Sequence, residues 1–148
     1  MSNRLINRVV STDASWAPLA LRLPIGIIFV AHGGQKLFGW FGGYGLAGTG
    51  QWMDSIGLHP GTLMALLAGG AEFFGGLALL AGLLVRPAAA MQAFAMVVAI
   101  FSVHISKGLF MANNGYEYAL ALLAVTVTLI VSGAGRLSVD ARLAAQTA

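Results

Sequence analysis

Four long apolar stretches dominate this 148-residue chain and leave it few ways to fold. They run approximately over residues 16–38, 62–84, 88–107 and 117–133. A helix needs about 20 mostly apolar residues to cross the hydrocarbon core of a bilayer, and these stretches meet or approach that length. Inside lipid every backbone N–H and C=O must be bonded within the protein, which admits only helices or a closed barrel. None of the stretches shows the period-two alternation of a barrel strand. The sequence therefore predicts an all-α, integral membrane four-helix bundle forming a single domain over residues 1–148. Composition agrees, since only 9% of residues are charged where a soluble domain carries about 25%.

Basic residues set the orientation. Arg4 and Arg8 precede the first stretch, Arg86 lies between the second and third, and Arg136 and Arg142 follow the fourth. Only Lys36 and Lys107 fall at the opposite ends, so both termini are expected in the cytoplasm. Arg22, with no small-x-small cleavage site after it, marks the first stretch as a retained helix rather than a removable signal. The outer loop, residues 39–61, is rich in glycine and carries Trp40, Phe41, Tyr44 and Trp52, the residue types that settle at headgroup level. Thr49 is placed to cap a short helix ending near Ile56, with Trp52, Met53 and Ile56 on one face. Such a loop either hugs the membrane as a connector or covers the bundle as a lid.

Several functions are excluded. With no cysteine, the chain forms no disulfide, thiolate metal site or covalent haem attachment. Its net charge of +3 is spread without a basic run, so nucleic acid is not a partner. Gly43-Tyr44-Gly45-Leu46-Ala47-Gly48 matches GxGxxG in letters only, because a dinucleotide site needs a preceding strand rather than a membrane helix.

The informative residues are the ionisable ones inside the apolar stretches, since each costs about 2.5–3.5 kcal/mol to insert near a helix centre. They are Arg22, His32 and Lys36 on the first helix, Glu72 on the second, His104 and Lys107 on the third, and Glu117 opening the fourth. At about 100° per residue Arg22, His32 and Lys36 share one helix face. Small residues surround Glu72 at i±3 and i±4 (Ala68, Gly69, Gly75, Gly76), which lets another helix approach and turns Glu72 toward protein. Glu117 aligns with Ala121, Ala124 and Thr128 in a second small stripe. Alternating helix directions gather all of these except Arg22 in the outer half of the bundle. Glu72 must be protonated or paired with Arg22, Lys36 or His32, because an isolated buried carboxylate is prohibitive. No HExxH or His-x3-His pair stands on one helix, so haem or metal is the weaker reading and no metal ligand is assigned.

These residues sit in a wider pattern: Arg22-Leu-Pro-Ile-Gly26, His32-Gly33-Gly34-Gln35-Lys36, Ile56-Gly57-Leu58-His59-Pro60, Glu72-Phe-Phe-Gly75-Gly76, Asn114-Gly115-Tyr116-Glu117, and the tail from Gly133 to Asp140. In order and spacing it resembles the DoxX family of small four-helix membrane proteins over about residues 17–143. The resemblance implies a multi-pass protein of the bacterial inner membrane, often labelled an oxidoreductase. The related DoxD branch looks like the membrane subunit of a thiosulfate:quinone oxidoreductase, which implies a quinone-like ligand and a partner redox subunit.

Together these readings assign Glu72 and His32 as catalytic proton-exchanging groups, with Arg22, Lys36, His104, Lys107 and Glu117 as ligand-binding residues around a quinone-like molecule. Two rivals stand beside this one. A nonenzymatic assembly subunit would use the polar cluster as bundle glue, and a small transporter would use it as a proton or substrate path. The small-xxx-small pairs Ala71/Gly75 and Ala78/Gly82 would permit a homo-oligomer within the bilayer.

Overall fold

The computed structural model describes residues 9–12 and 15–147. Every regular element in them is helical. We number the α-helices α1 (Ala17–Phe38), α2 (Gly45–Ser55), α3 (Gly61–Ala81), α4 (Val85–Ala99), α5 (Glu117–Ser132) and α6 (Val139–Thr147). Helix α4 continues through a π turn, Ile100–His104, and a 3-10 turn, Ile105–Lys107. By length and apolarity three of these helices can cross a membrane: α1, α3 and the continuous Val85–Lys107 segment. Helix α5 has 16 residues, about 24 Å at 1.5 Å per residue, and so falls short of a core of about 30 Å.

Glycine decides which helices touch. A Cβ at Gly33 would meet the backbone of Phe73 on α3, and one at Gly76 would meet the backbone of Gly26 and Val30 on α1. With these side chains absent, α1 and α3 pack more extensively than any other pair. Helix α4 joins α3 on one side and α5 on the other, and α5 closes the ring onto α1 only lightly. The shared core is apolar, built from Ile25, Phe29, Leu79, Val85, Ala89, Met96, Leu122 and Leu129. Large apolar side chains such as Ile27, Phe74, Phe94, Phe101 and Val131 point outward, as a bilayer-facing surface requires.

The turn between α3 and α4 differs from the expected boundaries. Helix α3 stops at Ala81 because Gly82 takes a left-handed conformation, φ 67°, and its N–H and that of Leu83 return to carbonyls of the last turn. Helix α4 begins at Val85 instead of residue 88, since the Asp140 carboxylate accepts the N–H groups of Leu84 (2.7 Å) and Val85 (2.9 Å). Pro87 then occupies the first turn, where its missing donor is harmless.

That cap belongs to a lock at one end of the bundle. The fully buried Arg22 donates to Leu79 and Leu80 carbonyls at the end of α3 (2.9 and 2.7 Å) and to Ala134 and Leu137 carbonyls in the tail (3.0 and 2.7 Å). Carbonyls of a final helical turn lack intrahelical partners and carry the negative end of the helix dipole, so a guanidinium satisfies both. The Asp140 charge lies within electrostatic reach of Arg22. Ser138 caps α6 through the Ala141 N–H, and Arg136 stacks its guanidinium 5.4 Å from the Trp16 ring. The segments flanking α1 at its start and α5 at its end are thereby tied together at this end.

Candidate functional site at the open end of the bundle

The opposite end is assembled differently. Close packing of α1 on α3 brings Lys36 to Glu72, and the Lys36 ammonium donates to the Glu72 carboxylate at 2.5 Å. Glu72 is buried, as its small-residue surroundings predict, whereas the Lys36 side chain remains about a quarter exposed. Lys36 is thus the contact between a buried carboxylate and the surface. His32 lies one turn before Lys36, half-buried, with the charges of both Lys36 and Glu72 reaching its ring. On its other side its ring meets Tyr118 of α5, centroids 6.2 Å apart.

Lys36 also lines an open cleft of about 650 Å³ formed with Gln35, Gly43, Tyr44, Thr49, Gln51 and Trp52. Helix α2 makes its far wall. This helix starts at Gly45 instead of being capped by Thr49, so Thr49 falls in the helix body and directs its hydroxyl to the Lys36 carbonyl. Met53 turns inward while Trp52 and Ile56 stay exposed, which separates the three residues expected on one face. The α2–α3 junction is held by Asp54, whose carboxylate accepts the Gly61 N–H at 2.7 Å and meets His59 Nδ1 at 2.8 Å. Hydrogen bonding to His59 and then to Gly61 lowers the Asp54 pKa below the ordinary aspartate value.

The remaining residues singled out in the sequence have other surroundings. All the guanidinium nitrogens of Arg22 face backbone carbonyls of the lock, away from Glu72. His104 ends the π turn and faces the Asn114 carbonyl with Nδ1 at 2.8 Å, so that nitrogen carries the hydrogen. Glu117 accepts the Met111 N–H and shapes the loop before α5, while Lys107 is exposed. The stripe Ala121, Ala124 and Thr128 beside Glu117 faces outward, and α5 buries Ala119, Leu122, Thr126 and Leu129 instead. Gly75 and Gly82 are both used inside the chain, against Gln92 and against Ser138. The glycine members of the small-xxx-small pairs thus pack within the chain, while Ala71 and Ala78 remain half-buried. Among the described residues no group of three His, Cys, Asp or Glu is placed to hold a metal ion.

Sequence reasoning missed Gln92. Fully buried on α4, it donates Nε2 to the carbonyls of Ala71 (3.0 Å) and Glu72 (3.2 Å), tying the backbone that carries Glu72 to a third helix. Among the described residues its Oε1 has no partner. A lone amide within an apolar stretch was the available signal, because such a group needs a polar partner in lipid.

The comparisons agree with this architecture. The DoxX family model matches residues 17–105. A Bacillus subtilis protein named "Putative oxidoreductase CatD" is 34% identical over 111 residues, covering 75% of this chain and 76% of its own. The Escherichia coli "Inner membrane protein YqjF" is 32% identical over 128 residues, 82% of this chain and 88% of its own. No solved structure matches the chain. With its apolar helices, its α1–α3 pair and these relatives, the chain belongs to the DoxX family of multi-pass membrane proteins.

Proposed function

We propose that this chain is an oxidoreductase component of the bacterial inner membrane that binds a quinone-like molecule at the end of the bundle opposite the Arg22 lock. The supporting observation is the Lys36–Glu72 pair, buried on its acidic side and open on its basic side to a cleft. The cleft volume of about 650 Å³ suits a molecule of cofactor size, and Tyr44 and Trp52 offer aromatic surface beside a cation. The relatives carry membrane and oxidoreductase names.

A quinone supplies two oxygens that gain electrons and protons. In this reading the Glu72 carboxylate, paired with the Lys36 ammonium, is one proton-exchange site for the ligand, and His32 offers a second one turn away. Lys36 neutralises negative charge as it develops on a ligand oxygen. Electrons come from a partner subunit or small reductant. In this reading, by the positive-inside pattern, this end faces the periplasm.

The test is purification in mild detergent, extraction of bound quinone, and quinone-dependent turnover of Glu72→Gln and His32→Ala variants. We expect near-stoichiometric quinone and turnover reduced by about 10²-fold or more, the usual contribution of a positioned acid or base. A quinone-free protein, or variants with full turnover, would overturn the reading. A cluster serving only as assembly glue would change stability alone, at about 0.6 kcal/mol per interhelical hydrogen bond.

A further inference from the structure

The seam between α1 and α5 is the lightest contact of the ring, and it carries a polar pair. His32 and Tyr118 face each other there, both half-buried. Among the described residues neither the imidazole nitrogens nor the phenol oxygen takes a hydrogen bond from the protein, and none of these atoms is sealed in the interior. His32 lies six residues before the end of α1, about 9 Å of helix, which is bilayer depth rather than the aqueous rim. Polar groups at that depth are costly unless something bonds them.

We infer that His32 and Tyr118 form the polar rim of a lateral opening through which a bilayer-borne amphiphile presents its oxygen-bearing head, while its apolar tail stays in the lipid. Tyr118 is then a ligand-binding residue, donating its hydroxyl hydrogen to a head oxygen. His32, one turn from Lys36, links the opening to the Lys36–Glu72 pair. On this proposal the ligand enters at the seam toward lipid, one turn of α1 from the Lys36 that lines the cleft. This rests on the proposed ligand-binding role of the open end, and it adds the route and the class of ligand: a membrane-dissolved molecule rather than a water-soluble one.

The experiment uses the full chain reconstituted in phosphatidylethanolamine and phosphatidylglycerol vesicles carrying ubiquinone, then released for native mass spectrometry. The wild type is expected to retain one amphiphile. Tyr118→Phe removes one oxygen that holds no protein contact, so its melting temperature should match the wild type. Its occupancy should fall about threefold to tenfold, the loss of one hydrogen bond. Thr128→Val, which removes an α5 hydroxyl already bonded to the Ala124 carbonyl, should leave occupancy unchanged. If the retained molecule is ubiquinone and Tyr118→Phe weakens it, both readings stand. A phospholipid retained in its place, and weakened by Tyr118→Phe, would keep the lateral site and overturn the quinone reading. Ubiquinone held equally well by Tyr118→Phe would overturn the lateral site alone. A wild type that retains no amphiphile would overturn it as well.

Discussion

Replacing Arg22 by methionine should destabilise the protein without touching the open end. Four hydrogen bonds of 2.7–3.0 Å join this one guanidinium to the end of α3 and to the tail before α6. Methionine fills much of the volume but removes the donor from the Leu80, Ala134 and Leu137 carbonyls, while Leu79 keeps the Gly82 N–H, and it removes the cation within reach of the Asp140 charge. Each buried group that loses its partner costs about 1–3 kcal/mol, and part is recovered because the guanidinium no longer needs to be desolvated. The net loss should be about 3–5 kcal/mol, the range found when one side of a buried charged interaction is removed. Against a typical total of about 5–15 kcal/mol that is a large share. Arg22→Lys should fall between, since one ammonium cannot reach carbonyls on two segments as the planar fork does. Reversible unfolding in mixed detergent and sodium dodecyl sulfate micelles, followed by circular dichroism, gives the difference directly. A loss under about 1 kcal/mol would refute the lock. If ligand binding vanished while stability held, Arg22 would be the ligand contact that its position on the His32–Lys36 face suggests.

The other predictions concern the packing and the α2–α3 junction. Gly33→Ala forces a methyl group into the Phe73 backbone and should cost about 1–3 kcal/mol, loosening the Lys36–Glu72 pair with it. Gly70→Ala on α3 has open space around the new methyl and should gain about 0.5–1 kcal/mol from helix propensity; equal effects from the two, in the same unfolding assay, would refute the close-packing argument. Gln92→Leu removes two hydrogen bonds to carbonyls and also the partnerless Oε1, so its stability should stay within about 1 kcal/mol of wild type. A larger loss would mean that the amide oxygen has a partner in the membrane. Because the folded Asp54 pKa is depressed, its contribution is present above the ordinary aspartate range and is lost as pH falls through the folded value. Hydrogen exchange at the Gly61 amide, corrected for intrinsic rate, should therefore stay slow through mildly acidic pH and quicken only below that range. Asp54→Ala should be fast throughout, and unchanged protection in that variant would sink the assignment.

Periodicity and length carried most of the architecture. Glu72 was legible as a protein-facing group because Gly69, Gly75 and Gly76 surround it, and the structure buries it against α1. Its choice of Lys36 over Arg22 was legible only from depth, since both lie on one face of α1, and its choice of Lys36 over His32 was not legible at all. The boundary at Val85 was hidden because its cap, Asp140, lies 55 residues away. Angular register also misled on α5. The stripe Ala121–Ala124–Thr128 looks like a packing surface, yet α5 buries the adjacent face with Leu122, Thr126 and Leu129. In water, small residues on a helix mark close contact or nothing; in lipid an alanine faces hydrocarbon at little cost, so the stripe loses its meaning.

The two ends of the bundle divide the work of the ionisable residues. At one end the buried Arg22 and Asp140 are held by backbone groups, carbonyls for the guanidinium and N–H groups for each carboxylate oxygen. At the other, Lys36 and Glu72 satisfy only each other, and His32 and Tyr118 bond to no described residue. A charge buried for stability is surrounded by partners that fold with it, because any deficit is paid in every molecule at all times. A site that must bind and release keeps part of its bonding capacity open, and the rigid end makes that tolerable. The lock ties the start of α1, the end of α3, the start of α4 and the tail after α5 together, whereas at the far end α1 and α5 meet through the His32–Tyr118 ring contact. The α1–α5 contact, the lightest of the ring, is where His32 and Tyr118 meet, and the Gly33–Phe73 packing and the Lys36–Glu72 pair belong instead to the α1–α3 interface.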